Sequence, residues 1–302
     1  MSARLLFILL YCSVSVCLNA ATPEVDSLQK KLEDYVNDKD ARIGVAVIVN
    51  GKDTVEVNGY RDFPMLSVFK FPQALAVVDF CRNNHISLDT ILNIPAEKIR
   101  ENTWSPMREK YGSRDIALSL KELLEFSIRH SDNNACDTLF DFIGGVSVAD
   151  SLMKSLGFDN IVINATEDDM HRDLYLCYTN RATPVEMAAL SDRFNAGIRN
   201  FSDGYSFIAG LMESCATGKD RLASVLKDRK NIAIGHKTGT GDINSQGRII
   251  AVNDAGYFSF PDGNRYAIAV FVADSGYDLK YTSNMIADIS EIVFSSLPFG
   301  KE

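Results

Sequence analysis

Apolar residues follow a helical spacing near the start of the chain and a strand-like spacing directly after it. Residues 23–37 place their apolar side chains on one helix face, which predicts an amphipathic helix. The β-rich run 43–49 is joined to a second run, 54–57, by Asn50-Gly51, a dipeptide that favours a tight hairpin turn. The sequence therefore predicts a helix followed by a β-hairpin.

The middle of the chain has the periodicity and the capping signals of helices. Ser119 and Glu122 have the spacing of a capping box, and Thr183 is a cap followed by a first-turn proline. Gly144 and Gly145 form a stop signal between two predicted helices. The predicted helices cover residues 68–82, 119–128, 134–143, 146–156, 183–194, 203–214 and 219–226.

The C-terminal part returns to strands and closes with a helix. Runs 232–237, 248–260 and 265–273 are β-rich, a turn at 261–264 separates the last two, and residues 280–294 have helical spacing. Strands at both ends with helices between them predict a mixed α/β (α+β) fold. In this fold an antiparallel sheet built from both termini is flanked by helices and carries an inserted all-helical lobe.

A division into lobes follows from that order of elements. Residues 21–65 and 215–302 are expected to form the sheet lobe, and residues 66–214 the helical lobe. Within the helical lobe, residues 159–182 carry no clear period, which is unusual for so long a connection in a compact protein. The segment is too apolar for a disordered linker, so we expect a packed Ω-loop, a type of loop that often carries functional residues.

Residues 1–20 have the composition of a secretory leader. Arg4 precedes a short apolar run, and Ala20 is a suitable small residue before a cleavage site, so we predict a signal peptide here. The run is too short to predict a membrane span. Cys17 leaves lipidation open as an alternative, although Val16 is larger than the residue that usually precedes a lipid-modified cysteine. The expected product is a periplasmic or secreted monomer.

Charge and cysteine content argue against several classes of protein. The formal net charge is −9 and the chain has no basic run, which disfavours nucleic acid as a partner. The cysteines outside the leader are too few for a disulfide framework in a chain of this length, and we expect them to be reduced. They are Cys81, Cys136, Cys177 and Cys215. The histidines lack metal-binding spacing, so neither a metal nor another cofactor is expected.

Candidate chemistry begins with Ser67 and Lys70. The Ser-x-x-Lys pattern recurs elsewhere in the chain, and most copies must be ordinary pairs on a helix surface. Ser67 differs because it leads a predicted helix, so its hydroxyl lies at the positive end of the helix dipole and Lys70 follows on the same face. Lys70 is a useful base only when neutral, which requires burial or a nearby positive charge such as Lys237. Ser67 is thus a candidate nucleophile.

Two further motifs supply complementary polar groups. In the Ser131-Asp-Asn133 motif the hydroxyl can pass a proton to a leaving nitrogen and the amide can bind a substrate amide, although such residues also favour helix caps. The Lys237-Thr238-Gly239 motif ends an apolar strand, where a cation and a hydroxyl can bind a carboxylate and a glycine lets a ligand approach the backbone. An ordinary strand end before a turn is the alternative for this second motif.

The three motifs, in this order and on a predicted helix, turn and strand, resemble those of the class A serine β-lactamases. The resemblance covers the chain after the leader in the order of its elements. The segment Ser67-Val-Phe-Lys-Phe-Pro72 and the loop sequence Glu167-Asp-Asp-Met-His171 look like the CepA-type cephalosporinase subgroup. The resemblance implies a serine β-lactamase and penicillin-binding-protein-like fold, and hydrolysis of β-lactams, with cephalosporins favoured, as a basis of antibiotic resistance.

The resemblance also implies a role for each matching residue. Ser67 is expected to be the acylated nucleophile, and Ser131 to relay a proton to the β-lactam nitrogen. Glu167, in the long loop, is expected to activate the water that releases the acyl group. Lys70 is the base for acylation in one account and a water activated by Glu167 is the base in another, so that choice stays open. Asn133 is expected to hold the amide of the substrate side chain.

A substrate-carboxylate site on the last motif is also implied by the resemblance. Lys237, Thr238 and Thr240 are expected to bind the carboxylate beside Gly239. The backbone N–H groups of Ser67 and Thr240 are expected to form the oxyanion hole, which stabilises negative charge on the carbonyl oxygen in the transition state.

Three further residues are assigned through the same resemblance. Gly247 occupies the place of an arginine that often binds carboxylate, so we expect Arg221 to replace it, with Arg248 as the alternative. His171 stands where an asparagine usually helps to bind the deacylating water. Which residue binds that water beside Glu167 therefore stays open. Trp104 resembles the aromatic residue at the cleft mouth, and a buried core tryptophan is the alternative.

Other functions remain as alternatives at this stage. A penicillin-binding peptidase shares the serine, the lysine and the Lys-Thr-Gly motif but lacks a deacylating glutamate in a long loop, which Glu167 supplies here. A β-lactam receptor needs a membrane-spanning transmitter, and no later stretch of the sequence is apolar enough to span a membrane. An inactive scaffold has no need of these polar groups at one cleft. We therefore expect a small-molecule β-lactam as the partner.

Overall fold

The computed structural model describes residues 23–227, 229 and 231–299, so the predicted leader lies outside the described residues. The α-helices are α1 Pro23–Val36, α2 Lys70–Asn83, α3 Pro106–Tyr111, α4 Leu120–Arg129, α5 Asn133–Ile143, α6 Val146–Ser155, α7 Glu167–Arg172, α8 Pro184–Ala196, α9 Asp203–Glu213 and α10 Leu279–Ser296. The strands are β1 Arg42–Val49, β2 Asp53–Val57, β3 Phe63–Pro64, β4 Ile91–Ile94, β5 Ile116–Ser119, β6 Ile161–Val162, β7 Arg181–Ala182, β8 Ala233–Thr240, β9 Ile249–Ser259 and β10 Arg265–Ser275. Short 3-10 helices cover Leu66–Phe69, Ala96–Lys98, Leu174–Tyr178, Ile198–Asn200 and Leu222–Leu226.

A five-stranded antiparallel sheet brings together the two ends of the described chain, in the strand order β2-β1-β10-β9-β8. The N-terminal hairpin turns at Asn50 and Gly51, which both have the positive φ that a tight hairpin turn requires. Strand β1 pairs with β10, so that Val45 lies opposite Val270, and β8 forms one edge of the sheet. The sequence prediction of a mixed α/β fold with an antiparallel sheet is confirmed.

The sheet separates two hydrophobic cores. Val45 and Val47 on β1 belong to the core shared with α1 and α10, where Leu32 and Ile289 are fully buried. Ala46, between them, belongs to the other core, which continues into the helices of the middle of the chain. This alternation is the two-residue period of a strand that is buried on both faces. Each fully buried Val, Leu or Ile side chain contributes about 1.5–3 kcal/mol, so both cores stabilise the sheet.

The capping signals predict several helix ends correctly. Ser119 and Glu122 make both bonds of the capping box at the start of α4, and Gly144 ends α5 in the left-handed conformation. The helix predicted over residues 219–226 is wrong, because the segment forms only the 3-10 helix Leu222–Leu226. The Leu222 N–H donates to the carboxylate of Asp254 at 3.2 Å, and the short helix packs against α10, which fixes the segment in this tight form.

Helix α8 falls in the range expected for the helical lobe, yet it packs across β1, β9 and β10. A sheet with two apolar faces needs a cover on each, and α8 supplies one with the buried residues Met187, Leu190 and Phe194. The sheet therefore lies between α8 on one face and α1 with α10 on the other. No helix among the described residues is both long and apolar enough to cross a membrane.

Residues 159–182 form a packed loop with short elements of its own. Strand β7 pairs with both β3 and β6 in a small three-stranded sheet, and Ile161 is fully buried. The Asn180 side chain closes the neck of the loop, because it accepts the N–H groups of Asn164 and Ala165 at 2.8 and 2.9 Å. The loop is therefore a fixed platform for the residues of α7 that it carries.

Candidate active site

Most of the predicted site residues line one cleft of about 560 Å³. Its walls come from the turn before α2, the start of α5, the Ω-loop and the edge strand β8. The predicted residues that line it are Ser67, Trp104, Ser131, Asn133, Glu167, His171, Arg221, Thr238 and Thr240. Lys70 and Lys237 are fully buried beneath the cleft and donate hydrogen bonds to the hydroxyls of Ser67 and Ser131.

Ser67 lies in the 3-10 turn Leu66–Phe69, which leads directly into α2. The preceding residue, Leu66, is buried and has a φ of 46°, a left-handed conformation that is costly for a side chain of this size. Such strained positions cluster at functional sites. The Ser67 hydroxyl accepts a hydrogen bond from Lys70 Nζ at 2.7 Å and donates one to Glu167 Oε1 at 3.0 Å.

Lys70 is the centre of the hydrogen-bond network. The three N–H groups of its fully buried ammonium are shared among four oxygens within hydrogen-bond distance. These are Ser67 Oγ at 2.7 Å, Asn133 Oδ1 at 2.7 Å, Glu167 Oε1 at 2.5 Å and the backbone oxygen of Ser131 at 3.3 Å. A buried cation is tolerated only when it is paired and hydrogen-bonded, as this one is. The network thus joins two of the three motifs to Glu167 in the long loop.

Glu167 is positioned by Asp137, a residue on α5 that the sequence analysis missed. The Asp137 carboxylate accepts the backbone N–H groups of Glu167 at 2.8 Å and of Asp168 at 2.9 Å, which fixes the first turn of α7. Burial, and then the charge of Glu167, raise the pKa of Asp137 to about 7. Asp137 follows Asn133 by one helical turn, and this spacing was the available signal in the sequence.

Ser131 and Lys237 form a second pair in the cleft. Lys237 Nζ donates to Ser131 Oγ and to the backbone oxygen of Thr238, each at 2.8 Å. Burial, and then the positive charge of Lys70, lower the pKa of Lys237 to about 7. Asp132 caps α5, so the helix-cap interpretation of this motif is correct for the aspartate, while its neighbour Ser131 lines the cleft.

The free edge of β8 presents polar groups to the cleft. In the ladder with β9, the Gly241 N–H donates to the Ala251 carbonyl at 2.8 Å. Because hydrogen-bonded pairs alternate along an antiparallel ladder, the N–H of Thr240 points away from β9 and towards the open edge. The Thr238 hydroxyl lies 2.6 Å from that of Thr217, a cleft residue with no signal of its own in the sequence.

Gly239 is required by close packing between β8 and the Ser67 turn. A Cβ at this position would lie 2.6 Å from the carbonyl oxygen of Met65 and 3.2 Å from the nitrogen of Ser67. Asn253 on β9 also holds the turn, because its side-chain amide donates to the Met65 carbonyl at 3.0 Å. The close approach seen here is thus between two backbone segments, whereas the sequence analysis attributed it to a ligand.

The structure places Arg221 and Arg248 differently. Arg221 is 6 % exposed, lines the cleft, and donates to the Gly239 carbonyl at 3.0 Å and to the Thr240 hydroxyl at 2.7 Å. Arg248 binds the Asp40 carboxylate at 2.6 Å and is not among the residues that line the cleft. Of the two arginines, Arg221 is therefore the one in reach of a molecule bound in the cleft.

The remaining predicted residues lie at the mouth of the cleft. Trp104 is 57 % exposed and its indole N–H donates to the His130 carbonyl at 3.0 Å, so the alternative of a buried core tryptophan is wrong. His171 is exposed on α7, one turn after Glu167. The Asn133 amide donates to the hydroxyl of Thr103 at 2.8 Å, a contact that no sequence signal indicated.

Comparisons with known proteins agree with this geometry. The model of the β-lactamase enzyme family matches residues 27–297. A β-lactamase of Phocaeicola vulgatus is 38 % identical over 281 residues, which cover 92 % of this chain and 87 % of that protein. The TLA-3 extended-spectrum β-lactamase has a TM-score of 0.86 at 37 % identity, covering 90 % of this chain and 98 % of the other. A class A β-lactamase from Bacteroides cellulosilyticus has a TM-score of 0.84 at 36 % identity, with coverages of 90 % and 98 %.

The resemblance suggested by the motifs is confirmed over nearly the whole described chain. The family and the fold agree, and the peptidase, receptor and scaffold alternatives are set aside because the relatives and structures reported above, at 36 to 38 % identity, are β-lactamases. The chain belongs to the class A β-lactamases, serine hydrolases that open the β-lactam amide bond and confer resistance to these antibiotics.

Proposed function

We propose that this enzyme hydrolyses β-lactams through an acyl-enzyme on Ser67 and favours cephalosporins. The observation that carries the mechanism is the buried ammonium of Lys70, which holds Ser67 and Glu167 in direct contact. The preference for cephalosporins is supported by the likeness of residues 67–72 and 167–171 to the CepA-type subgroup.

Acylation starts from the hydrogen bonds of the free enzyme. Lys70 Nζ and Glu167 Oε1 both lie within hydrogen-bond distance of the Ser67 hydroxyl, so Lys70, when neutral, is a base for acylation that does not depend on Glu167. As Ser67 Oγ attacks the carbonyl carbon, the N–H groups of Ser67 and Thr240 stabilise the developing oxyanion. Ser131 then donates a proton to the ring nitrogen while the carbon–nitrogen bond breaks, and it regains a proton from Lys237 Nζ, which donates to its hydroxyl at 2.8 Å.

Deacylation uses the other oxygen of Glu167. Its Oε1 is occupied by Lys70 and Ser67, whereas its Oε2 makes no hydrogen bond to any residue of the described ranges. A water bound at Oε2 is placed to lose a proton to the Glu167 carboxylate and to attack the ester carbonyl, and Glu167 returns that proton to Ser67 Oγ as the ester bond breaks. His171, one turn along α7, takes over the supporting contact that an asparagine supplies in many relatives.

Substrate binding is assigned to the sheet edge and to the cleft mouth. Lys237, Thr238, Thr240 and Arg221 bind the substrate carboxylate beside Gly239 through charge-assisted hydrogen bonds. On the opposite side, the amide of Asn133 binds the side-chain amide of the substrate, and the exposed ring of Trp104 stacks on it. The enzyme acts as a monomer in the periplasm or outside the cell, after removal of residues 1–20.

Turnover of a chromogenic cephalosporin by Ser67→Ala tests the covalent mechanism. Ser151→Ala is the matched control, because Ser151 heads another Ser-x-x-Lys pattern on the exposed side of α6. We expect Ser67→Ala to lose about 10⁴–10⁶-fold in kcat and the control to keep wild-type turnover. Retained turnover in Ser67→Ala would refute the covalent mechanism, and a higher kcat/KM for penicillins in the wild type would refute the cephalosporin preference.

A further inference from the structure

Arg100 is a half-buried arginine whose backbone is fixed on α5. It lies in the loop between the 3-10 helix Ala96–Lys98 and α3. The Asn134 side chain on α5 accepts the Arg100 N–H at 2.9 Å and donates to the Arg100 carbonyl at 3.0 Å. Because one buried side chain holds both backbone groups, the guanidinium of Arg100 extends from a fixed point beside α5.

The guanidinium of Arg100 contacts two carboxylates on different helices. Its Nη1 lies 3.4 Å from Asp137 Oδ2 on α5, and it also contacts the carboxylate of Asp168, the second residue of α7. Asp137 is the residue that accepts the N–H groups of Glu167 and Asp168. Arg100 therefore contacts both the carboxylate that holds the first turn of α7 and a side chain within that turn.

The grip of Asp137 on α7 depends on its charge. An ionised carboxylate accepts hydrogen bonds with both oxygens, whereas a protonated carboxyl carries a hydrogen on one of them. Two N–H groups bind here, one on each oxygen, so the ionised form holds the turn better. Burial and then the charge of Glu167 raise the pKa of Asp137 to about 7, and the nearby positive charges of Arg100 and Lys70 oppose this rise.

Other charged groups near Asp137 are already paired. The charged groups within reach are Arg100 from its loop, Lys70 from α2, Glu167, Asp168 and Arg172 from α7, and Asp141 from α5 itself. Lys70 is engaged by Glu167, Arg172 binds Asp168, and Asp141 binds Lys98 on the surface. Among the described residues, Arg100 is the cation that contacts Asp137 directly.

We propose that Arg100 is a positioning residue for deacylation: by contacting the Asp137 and Asp168 carboxylates at once, it fixes the turn of α7 that places Glu167 beside the deacylating water. This inference rests on the role proposed above for Glu167. A misplacement of about 1 Å can cost about 100-fold in rate, so loss of a positioning contact should slow deacylation without abolishing it. Acylation should change less, because neutral Lys70 is a base that does not depend on Glu167.

Arg100→Met tests the proposal through the two chemical steps. The burst phase with a chromogenic cephalosporin gives the acylation rate, and decay of the Ser67 adduct by intact mass gives the deacylation rate. Deacylation should fall by about ten-fold while acylation stays within about three-fold of the wild type. The adduct should therefore accumulate, and kcat and KM should fall together while kcat/KM stays nearly constant.

The pH profile of deacylation is the second readout. The ionised form of Asp137 is lost as the pH falls through its pKa, which is about 7 in the wild type. Removal of a neighbouring cation raises the pKa of a carboxyl, so the acid limb should move to higher pH in Arg100→Met. The deficit should shrink towards about pH 9, where Asp137 is ionised in both proteins. A general loosening of the fold would give a deficit that does not depend on pH in this way.

Matched variants separate the Asp137 contact from the rest. Arg172→Met removes the other cation on Asp168, which binds it at 2.6 Å from a side chain that is 71 % exposed. Both rates should stay within about two-fold of the wild type in this control. Arg100→Lys keeps the charge and should keep the acid limb of the wild type. Arg100→Gln is a second neutral variant, which decides the question if Arg100→Met fails to fold. On an Asp137→Asn background, Arg100→Met should add little.

Three outcomes overturn the proposal. Deacylation at the wild-type rate in both neutral variants contradicts the positioning role. An equal fall in acylation and deacylation, with an unshifted pH profile, assigns Arg100 to general stability instead. An equal loss in Arg172→Met assigns the effect to Asp168 alone. Glu167→Ala distinguishes these from a failure of the proposed function: if it traps the adduct while Arg100→Met releases it normally, only the role of Arg100 is wrong.

Discussion

The two walls of the cleft hold their polar groups in different ways. On the helical side, Ser67, Lys70 and Glu167 contact one another directly, so each side chain also positions its neighbours. On the sheet side, Lys237 and Arg221 donate to backbone carbonyl oxygens of β8 and β9. The helical wall is therefore a coupled network of side chains, whereas the groups of the sheet wall are anchored mainly on the backbone of a rigid edge, with Lys237 also donating to Ser131 across the cleft.

This difference separates proton transfer from binding. Groups in one network show strongly non-additive effects when they are changed, because each change also displaces the partners. Where each group is held by its own backbone atom, substitution of one group leaves the others in place, so the effects of separate substitutions should be closer to additive. We therefore expect changes in the helical wall to lower kcat and changes in the sheet wall to raise KM, with smaller effects.

Lys70→Met breaks the helical wall at its centre. The substitution leaves Glu167 without its cation and Ser67 without its donor, so kcat should fall by about 10³-fold or more. Lys154→Met is the matched control, because Lys154 ends another Ser-x-x-Lys pattern and its side chain is half-exposed on α6. Steady-state kinetics on both variants, with circular dichroism to confirm folding, checks this expectation. A kcat within about ten-fold of the wild type contradicts the coupled network.

Lys237→Ala removes the main cation of the sheet wall. Loss of a charge-assisted hydrogen bond to the substrate carboxylate should raise KM by about 10- to 100-fold. Because the pKa of Lys237 is about 7, the wild type loses this charge as the pH rises, and its KM should increase above about pH 7. Lys237→Arg stays charged, so its KM should stay level over that range. A KM of the wild type that does not change with pH counts against the carboxylate role.

Arg221→Ala and Arg248→Ala form a matched pair on the same wall. Arg221→Ala removes a cleft guanidinium together with its bond to the Thr240 hydroxyl, and KM should rise by about ten-fold. Arg248→Ala removes a surface ion pair with Asp40 and should leave KM unchanged. The KM values of the two variants, measured side by side, decide between the arginines. The opposite pattern would assign the carboxylate to Arg248.

Trp104→Ala should have the smallest effect in this series. The ring is 57 % exposed, so stacking on a substrate contributes only about 1 kcal/mol, which corresponds to an increase of about five-fold in KM. Trp104→Phe keeps a stacking face and should stay close to the wild type. Inhibition constants for cephalosporins with and without an aromatic side chain check the contact, and equal effects on both would contradict stacking.

Local signals in the sequence predict much of the fold. The capping box of Ser119 and Glu122, the Asn50-Gly51 turn and the stop at Gly144 depend on neighbours within a few residues, so they can be found in one sequence. The 3-10 form of Leu222–Leu226 could not be predicted, because it depends on the distant carboxylate of Asp254. The packing of α8 on the sheet could not be predicted either, because it depends on which apolar face of the sheet is not already buried by α1 and α10.

The same reasoning separates the predicted and the missed residues of the site. Ser67, Lys70 and Lys237 belong to short motifs, and the structure brings them together. Asp137 supports Glu167 across 30 residues of sequence, and its one-turn spacing from Asn133 places it on the face of α5 that faces the site without indicating the contact with Glu167.

The most direct test of the account is the fate of the acyl-enzyme in Glu167→Ala. Intact mass of this variant after mixing with a cephalosporin should show one stable adduct per protein, located on a Ser67 peptide, while the wild type returns to its free mass. The double variant Ser67→Ala/Glu167→Ala should show none. A Glu167→Ala enzyme that forms the adduct and releases it at the wild-type rate would contradict the role of Glu167, and with it the division of work between the two walls.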